Sequence, residues 1–110
     1  MIANAYNWVP CNLILADSYT PVAESVDYDD VGLEITYRLN GEAVKTKTLT
    51  LADWSEGSSG GYAIRFSPAE CPVSGQFDYW VSYTGCVPYP GSMVSVPAYD
   101  TRRRLPEILP

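Results

Sequence analysis

Residues Leu33-Glu34-Ile35-Thr36-Tyr37-Arg38-Leu39 alternate apolar and polar side chains and run straight into Asn40-Gly41. Successive side chains on a strand point to opposite faces, so this alternation describes a half-buried strand. Asn-Gly favours a two-residue type I′ turn, because both central positions need positive φ. A return strand is expected over Ala43-Val44-Lys45-Thr46-Lys47-Thr48-Leu49-Thr50. Lys45 and Lys47 would stand on its exposed edge and discourage stray pairing.

The same period recurs downstream. Tyr62, Ile64 and Phe66 share one face of a predicted strand, opposite Ala63, Arg65 and Ser67. Phe77, Tyr79, Val81 and Tyr83 share a face of a longer one that opens at Gly75, opposite Asp78, Trp80 and Ser82. Between them, Gly57 to Gly61 reads as a turn, Trp54 as a cap on one end of the core, and Ser67 to Pro72 as a break holding at most one helical turn. Val87-Pro88-Tyr89-Pro90-Gly91 reads as a rigid turn, and Met93-Val94-Ser95-Val96 as a last short strand with Val94 and Val96 inward. Before residue 30 the signal is weaker. Asn12 to Ala16 is a short apolar run, Pro21-Val22-Ala23 suits an edge, and Tyr28 to Gly32 is a polar loop. Short strands punctuated by Gly and Pro, with no sustained helical period, predict an all-β sandwich or small barrel.

The chain has 110 residues, close to the commonest domain length. One domain is therefore expected over residues 1–98, with residues 1–30 less regular, and an extended arm over 99–110. Charge is uneven along this division. Residues 1–98 hold eleven acids against four bases, whereas the arm holds Arg102, Arg103 and Arg104 against Asp100 and Glu107. An acidic body repels nucleic-acid phosphates, so no nucleic-acid partner is expected for it. No window approaches the roughly 18 apolar residues of a membrane helix, and the first residues lack the basic and apolar regions of a signal peptide. Three cysteines, Cys11, Cys71 and Cys86, form no regular disulfide framework, which suits folding in a reducing cytoplasm. A Cys71–Cys86 bridge stays open, because both residues flank one predicted strand.

Catalytic chemistry is hard to place. The chain contains no His, which removes Ser-His-Asp and Cys-His arrangements and imidazole metal sites. None of the cysteines has a base beside it in sequence. Asp27, Asp29 and Asp30 do not follow the ligand spacing of a calcium loop and read as a solvated loop. No glycine-rich loop leads into a helix, so no phosphate cradle is expected. No catalytic residue, metal or cofactor is predicted. The candidates that remain are partner-binding residues: Trp80 opposite the inward face, Tyr89 and Tyr99 in loops or near ends, and Arg102, Arg103, Arg104, Leu105, Ile108 and Leu109 in the arm. Trp8, Tyr19 and Tyr28 are further loop aromatics. Aromatic rings anchor protein interfaces or stack on sugars. Three consecutive arginines suit bidentate pairing with carboxylates, for which a neighbouring acidic body is an acceptor.

One pattern goes further. Asp30 to Gly41, Leu49 to Trp54, Gly60 to Phe66 and Gly75 to Val81 together resemble small immunoglobulin-like structural proteins of tailed bacteriophages, of the tail-fibre, baseplate-adaptor, neck or capsid-decoration type. The resemblance covers roughly residues 30–98. It implies an immunoglobulin-like antiparallel β-sandwich of about six to eight strands. It also implies a non-enzymatic virion component that docks on other virion proteins and on copies of itself. It carries over no active site. A carbohydrate-binding or host-adhesion module is the alternative, resting on the aromatics alone.

Overall fold

The computed structural model describes residues 1–57 and 60–97. It contains seven strands: β1 (Asn7–Asn12), β2 (Leu33–Leu39), β3 (Lys45–Lys47), β4 (Trp54–Glu56), β5 (Gly61–Phe66), β6 (Gly75–Tyr83) and β7 (Tyr89–Ser95). A single 3-10 turn, Leu51–Asp53, precedes β4. A three-stranded sheet in the order β1-β5-β4 faces a four-stranded sheet in the order β3-β2-β6-β7, and every pairing within the sheets is antiparallel. The fold is a β-sandwich. Its strand order is that of immunoglobulin strands B-E-D facing C′-C-F-G. The chain start crosses to the second sheet, where Ile2 bridges Val96 in parallel.

The inward faces expected for β2, β5 and β6 hold. Ile35, Leu39, Tyr62, Ile64, Phe66, Phe77, Tyr79 and Val81 are buried, and Leu33, Tyr37 and Tyr83 pack against them. Phe66 of the first sheet meets Phe77 of the second edge-on at 4.8 Å and Tyr37 at 5.5 Å. Such contacts add to plain area burial. Tyr79 is 1% exposed, yet its hydroxyl donates to the Pro10 carbonyl at 2.6 Å. That bond links β6 to β1, the two strands that a disulfide joins in antibody domains. Its ring lies where a side chain on Gly91 would stand, so β7 needs glycine there for close approach. Cys11, Cys71 and Cys86 are all free, which closes the question of a Cys71–Cys86 bridge.

The structure corrects the reading of the last strand. β7 begins at Tyr89 and includes Pro90 and Gly91, where a rigid turn was expected. Proline is tolerated because β7 is an edge strand. Val94 and Val96 face outward, 64% and 43% exposed, while Met93 packs on the core and Ser95 is buried. The partner strand decides this. Phe77, Tyr79 and Val81 pair with Met93, Gly91 and Tyr89, so those residues share the inward face.

The first hairpin is also reshaped. Asn40 and Gly41 both have positive φ, 54° and 72°, and the Glu42 amide donates to the Leu39 carbonyl at 3.1 Å, as the turn requires. The return strand, however, pairs only over Lys45–Lys47 rather than over residues 43–50. Asn40 is bound to the other neighbour: its amide donates to the Gln76 carbonyl, and its Oδ1 accepts the Gln76 amide. The tip therefore leans towards β6 and leaves β3. β1 and β4 were not foreseen. β1 carries Pro10 and an outward Trp8 that blur its alternation, and β4 has only three residues.

Lys47 is the largest departure. It was expected on the solvent edge, yet its side chain is only 3% exposed. Pairing with Ile35 turns it inward. Its ammonium donates to Glu70 at 2.7 Å, stands 3.8 Å from Asp53 and lies 5.0 Å from the Phe66 ring centre. Burying a charge is costly unless it is paired, and these carboxylates supply the pairing. Burial by itself would raise the Asp53 carboxyl. The Thr50 hydrogen bonds, the Lys47 charge and the Arg65 hydrogen bond outweigh it and hold that carboxyl below its ordinary range.

Phe77→Ala should cost about 3–5 kcal/mol, much of the roughly 5–15 kcal/mol available to a domain this size. Val94→Ser should change stability by no more than about 0.5 kcal/mol. Thermal melts of the two variants check the orientation of β6 and β7. Asp53 predicts a pH effect of definite sign. Its pKa is depressed in the folded state, so its contribution is present above the unfolded value of about 4 and is lost as pH falls through the folded one. Urea unfolding between pH 7 and 3 should show this loss, and Asp53→Asn should flatten the slope.

Candidate functional site

Three surface features gather the side chains capable of recognition, one on each outer sheet face and one at a sandwich edge.

Trp80 stands on the outer face of the four-stranded sheet, in one cross-strand row with Thr46, Thr36 and Pro90. It is half-buried rather than tucked under another element. The Arg38 guanidinium lies 5.4 Å from its ring centre, a cation–π distance. Arg38 is fixed in turn, its Nε donating to Asp78 Oδ2 at 3.2 Å. Asp78 Oδ1 accepts from Gln76 Nε2 at 3.2 Å and from the Ser92 hydroxyl at 2.9 Å. The Gln76 and Ser92 hydrogen bonds, then Arg38, hold its carboxyl below the ordinary range against a smaller opposing effect of burial. The result is an indole beside a cation that a three-strand polar network holds in place.

Tyr89 does not join it. Tyr89 opens β7 on the inward face, half-buried, with its ring 6.3 Å from Tyr79. It is a core-edge residue and not an exposed loop aromatic. Tyr99, Arg102, Arg103, Arg104, Leu105, Ile108 and Leu109 lie outside the described residues.

The outer face of the three-stranded sheet carries a second aromatic group. Trp8 is 50% exposed and sits across the β1–β5 pair from Arg65. Tyr6 is 61% exposed, with the Arg65 guanidinium 4.5 Å from its ring centre. Arg65 Nε donates to Asp53 Oδ1 at 3.2 Å. In the sequence Arg65 reads only as the outward residue of a strand. Its partnership with Tyr6 depends on strand pairing across nearly sixty positions, and no local signal announces it.

The third feature is a groove of about 270 Å³ at the edge where β2 and β3 meet the Tyr28–Asp30 loop. Leu33, Ile35 and Leu49 form its apolar side, Tyr28 adds an aromatic ring to the lining, and Asp29 and Asp30 form an acidic rim. The rim is well anchored. Asp30 Oδ1 accepts the Gly32 amide at 3.0 Å, its Oδ2 accepts the Tyr83 hydroxyl at 2.9 Å, and its backbone amide donates to the Asp27 carbonyl. Upstream, the connector from β1 is pinned at Val26, whose amide donates to the Tyr62 hydroxyl and whose carbonyl accepts Trp54 Nε1. Trp54 itself stacks on Tyr62 at 4.5 Å, so it closes the core edge as expected of a cap. Small-molecule clefts usually run to roughly 300–1,000 Å³, so this groove is sized for side chains. A smaller depression of about 100 Å³ lies at the other end of the hairpin.

Among the described residues, no group of three or more Cys, Asp or Glu is placed to hold a metal ion. Asp27, Asp29 and Asp30 belong to the loop just described. The thiols are set against nucleophilic chemistry. Burial, and then the neighbouring Cys86, push the Cys11 thiol up to about 12, and burial raises Cys86. Cys71 is buried and donates to the Ser95 hydroxyl at 3.3 Å.

Comparison with known proteins adds no relative: no family model, curated protein or solved structure matches the chain.

A thiol reagent at mildly alkaline pH should label Cys86 first in the folded protein, because it is half-buried while Cys11 and Cys71 are fully buried. Labelling of Cys11 should follow global unfolding, and mass spectrometry against denaturant concentration reads the order.

Proposed function

We propose that the chain is a non-enzymatic docking module of a bacteriophage virion that binds another virion protein through the outer face of its four-stranded sheet. The observation that carries the reading is the Trp80–Arg38–Asp78 arrangement. Tryptophan and arginine dominate the few residues that carry most interface energy. Here the indole is held by a cation that is itself held by a carboxylate with two further donors. A side chain ordered before binding loses little freedom on docking, which favours affinity. The surrounding Thr36, Thr46, Pro90 and Val94 offer side chains of mixed polarity on the same face. The virion context rests on the resemblance of residues 30–98 to phage immunoglobulin-like structural proteins, and synthesis in the host cytoplasm suits three free thiols.

A second reading has its own observation. Tyr6, Trp8 and Arg65 form an exposed aromatic pair with a cation on the opposite face, an arrangement on which a sugar ring can stack. It makes the chain a carbohydrate-binding or host-adhesion module.

Mass spectrometry of purified particles should find the chain at fixed stoichiometry, and Trp80→Ala should reduce its occupancy about tenfold or more with little change in melting temperature. Glycan binding that survives Trp80→Ala and vanishes with Trp8→Ala would replace the virion reading with the sugar reading.

A further inference from the structure

We propose that the acidic-rimmed groove between the Tyr28–Asp30 loop and the β2–β3 edge receives the arginine- and leucine-bearing segment 102–109 of a second copy of this chain. The proposal rests on reading the chain as an assembly module, and it names a self-contact separate from the Trp80 face. Chemical matching is the first reason. The groove sets Leu33, Ile35 and Leu49 beside Asp29 and Asp30. Segment 102–109 sets Arg102, Arg103 and Arg104 beside Leu105, Ile108 and Leu109. An arginine fork pairs with a carboxylate by two parallel hydrogen bonds, while a leucine fills an apolar floor. Lys47 also lines the groove, but its ammonium is engaged by Glu70 and faces the core. It therefore does not repel an arriving guanidinium at the rim.

Size is the second reason. About 270 Å³ accommodates one or two side chains, as a peptide segment presents them. Reach is the third, and it favours a second copy. β7 and β3 are the opposite edges of the four-stranded sheet. Ser95 lies at the end of the sheet with Gly75, whereas the groove lies at the end with Leu33 and Tyr83. Three strand spacings and about six residues of strand separate them, roughly 25 Å in a straight line. Seven fully extended residues from Ser95 to Arg102 span at most about 25 Å. Arg102 thus reaches its own groove only if the intervening chain runs fully straight, a limit that a neighbouring copy does not impose.

The test uses full-length chains in sedimentation velocity over a concentration series. The unmodified chain should self-associate, more weakly as salt rises. Asp29→Lys alters an exposed rim carboxylate, and Arg102→Glu with Arg103→Glu and Arg104→Glu alters the arm. Each variant alone should associate about tenfold more weakly, near 1.4 kcal/mol. Mixing the two should restore a heterodimer, because one supplies an intact groove and the other an intact arm. Three results would overturn the proposal: a chain that stays monomeric at every concentration, Asp29→Lys associating as the unmodified chain does, or a mixture that fails to recover association. Particle incorporation that still depends on Trp80 in a monomeric chain would leave the docking reading standing and sink only the groove. Incorporation indifferent to Trp80, with complementation intact, would do the reverse.

Discussion

The contact that holds the two sheets in register is the Tyr79 side chain. Its ring occupies the core and its hydroxyl reaches across to the Pro10 carbonyl. Pro10 has no amide to give to a ladder, and its carbonyl accepts the Tyr79 hydroxyl. A buried phenol without a partner is costly, so the bond specifies where β1 must lie against β6. The same ring excludes any side chain at position 91. Strand β7 is thereby drawn in, and its register turns Met93 and Ser95 inward and Val94 outward. The cross-sheet linkage is made without sulfur, although Cys11 lies buried on β1.

The polar interior follows from that frame. Once Phe66 and Phe77 meet at the centre, the inward position next to Ile35 on β3 faces the Phe66 ring. Lys47 occupies it, with Glu70 and Asp53 closing over the ammonium. Asp53 also binds Arg65, whose guanidinium underlies Tyr6 on the outer surface. A chain of ionic and cation–π contacts thus runs from the core to an exposed aromatic. Buried ion pairs contribute little net stability because desolvation offsets the attraction, but removing one partner is strongly destabilising.

The outer surfaces are ordered by the same registers. Arg38 stands beside Trp80 because Arg38 and Asp78 are directly paired across β2 and β6, and Ser92 follows on β7. The groove exists because a long connector between β1 and β2 is tied down by Trp54 and Tyr62 through the backbone of Val26. Three aromatic side chains that look alike in composition therefore have three roles. Trp54 fastens a loop, Tyr79 spans the core, and Trp80 stands on the outer face of the four-stranded sheet.

Much of this was written locally. Alternation over Leu33–Leu39, Tyr62–Phe66 and Phe77–Tyr83 determined three strands and their inward faces, because strand side chains alternate whatever surrounds them. Asn40-Gly41 determined a turn with two positive φ angles. The outward placement of Trp80 followed from the same parity. Other features had no local signature. Met93-Val94-Ser95-Val96 offers its valines to either face, and only pairing with β6 turned them out. Lys47 reads as a solvent-edge lysine until Glu70 and Asp53, far along the chain, arrive beside it. Tyr89 reads as part of a proline-rich turn until it is drawn into β7 beside Val81. Period and turn chemistry depend on the nearest few residues, and the sequence alone determines them. The burial of a charge, the face of an ambiguous strand and the meeting of Arg65 with Tyr6 depend on which distant strands become neighbours, and only the tertiary structure decides that.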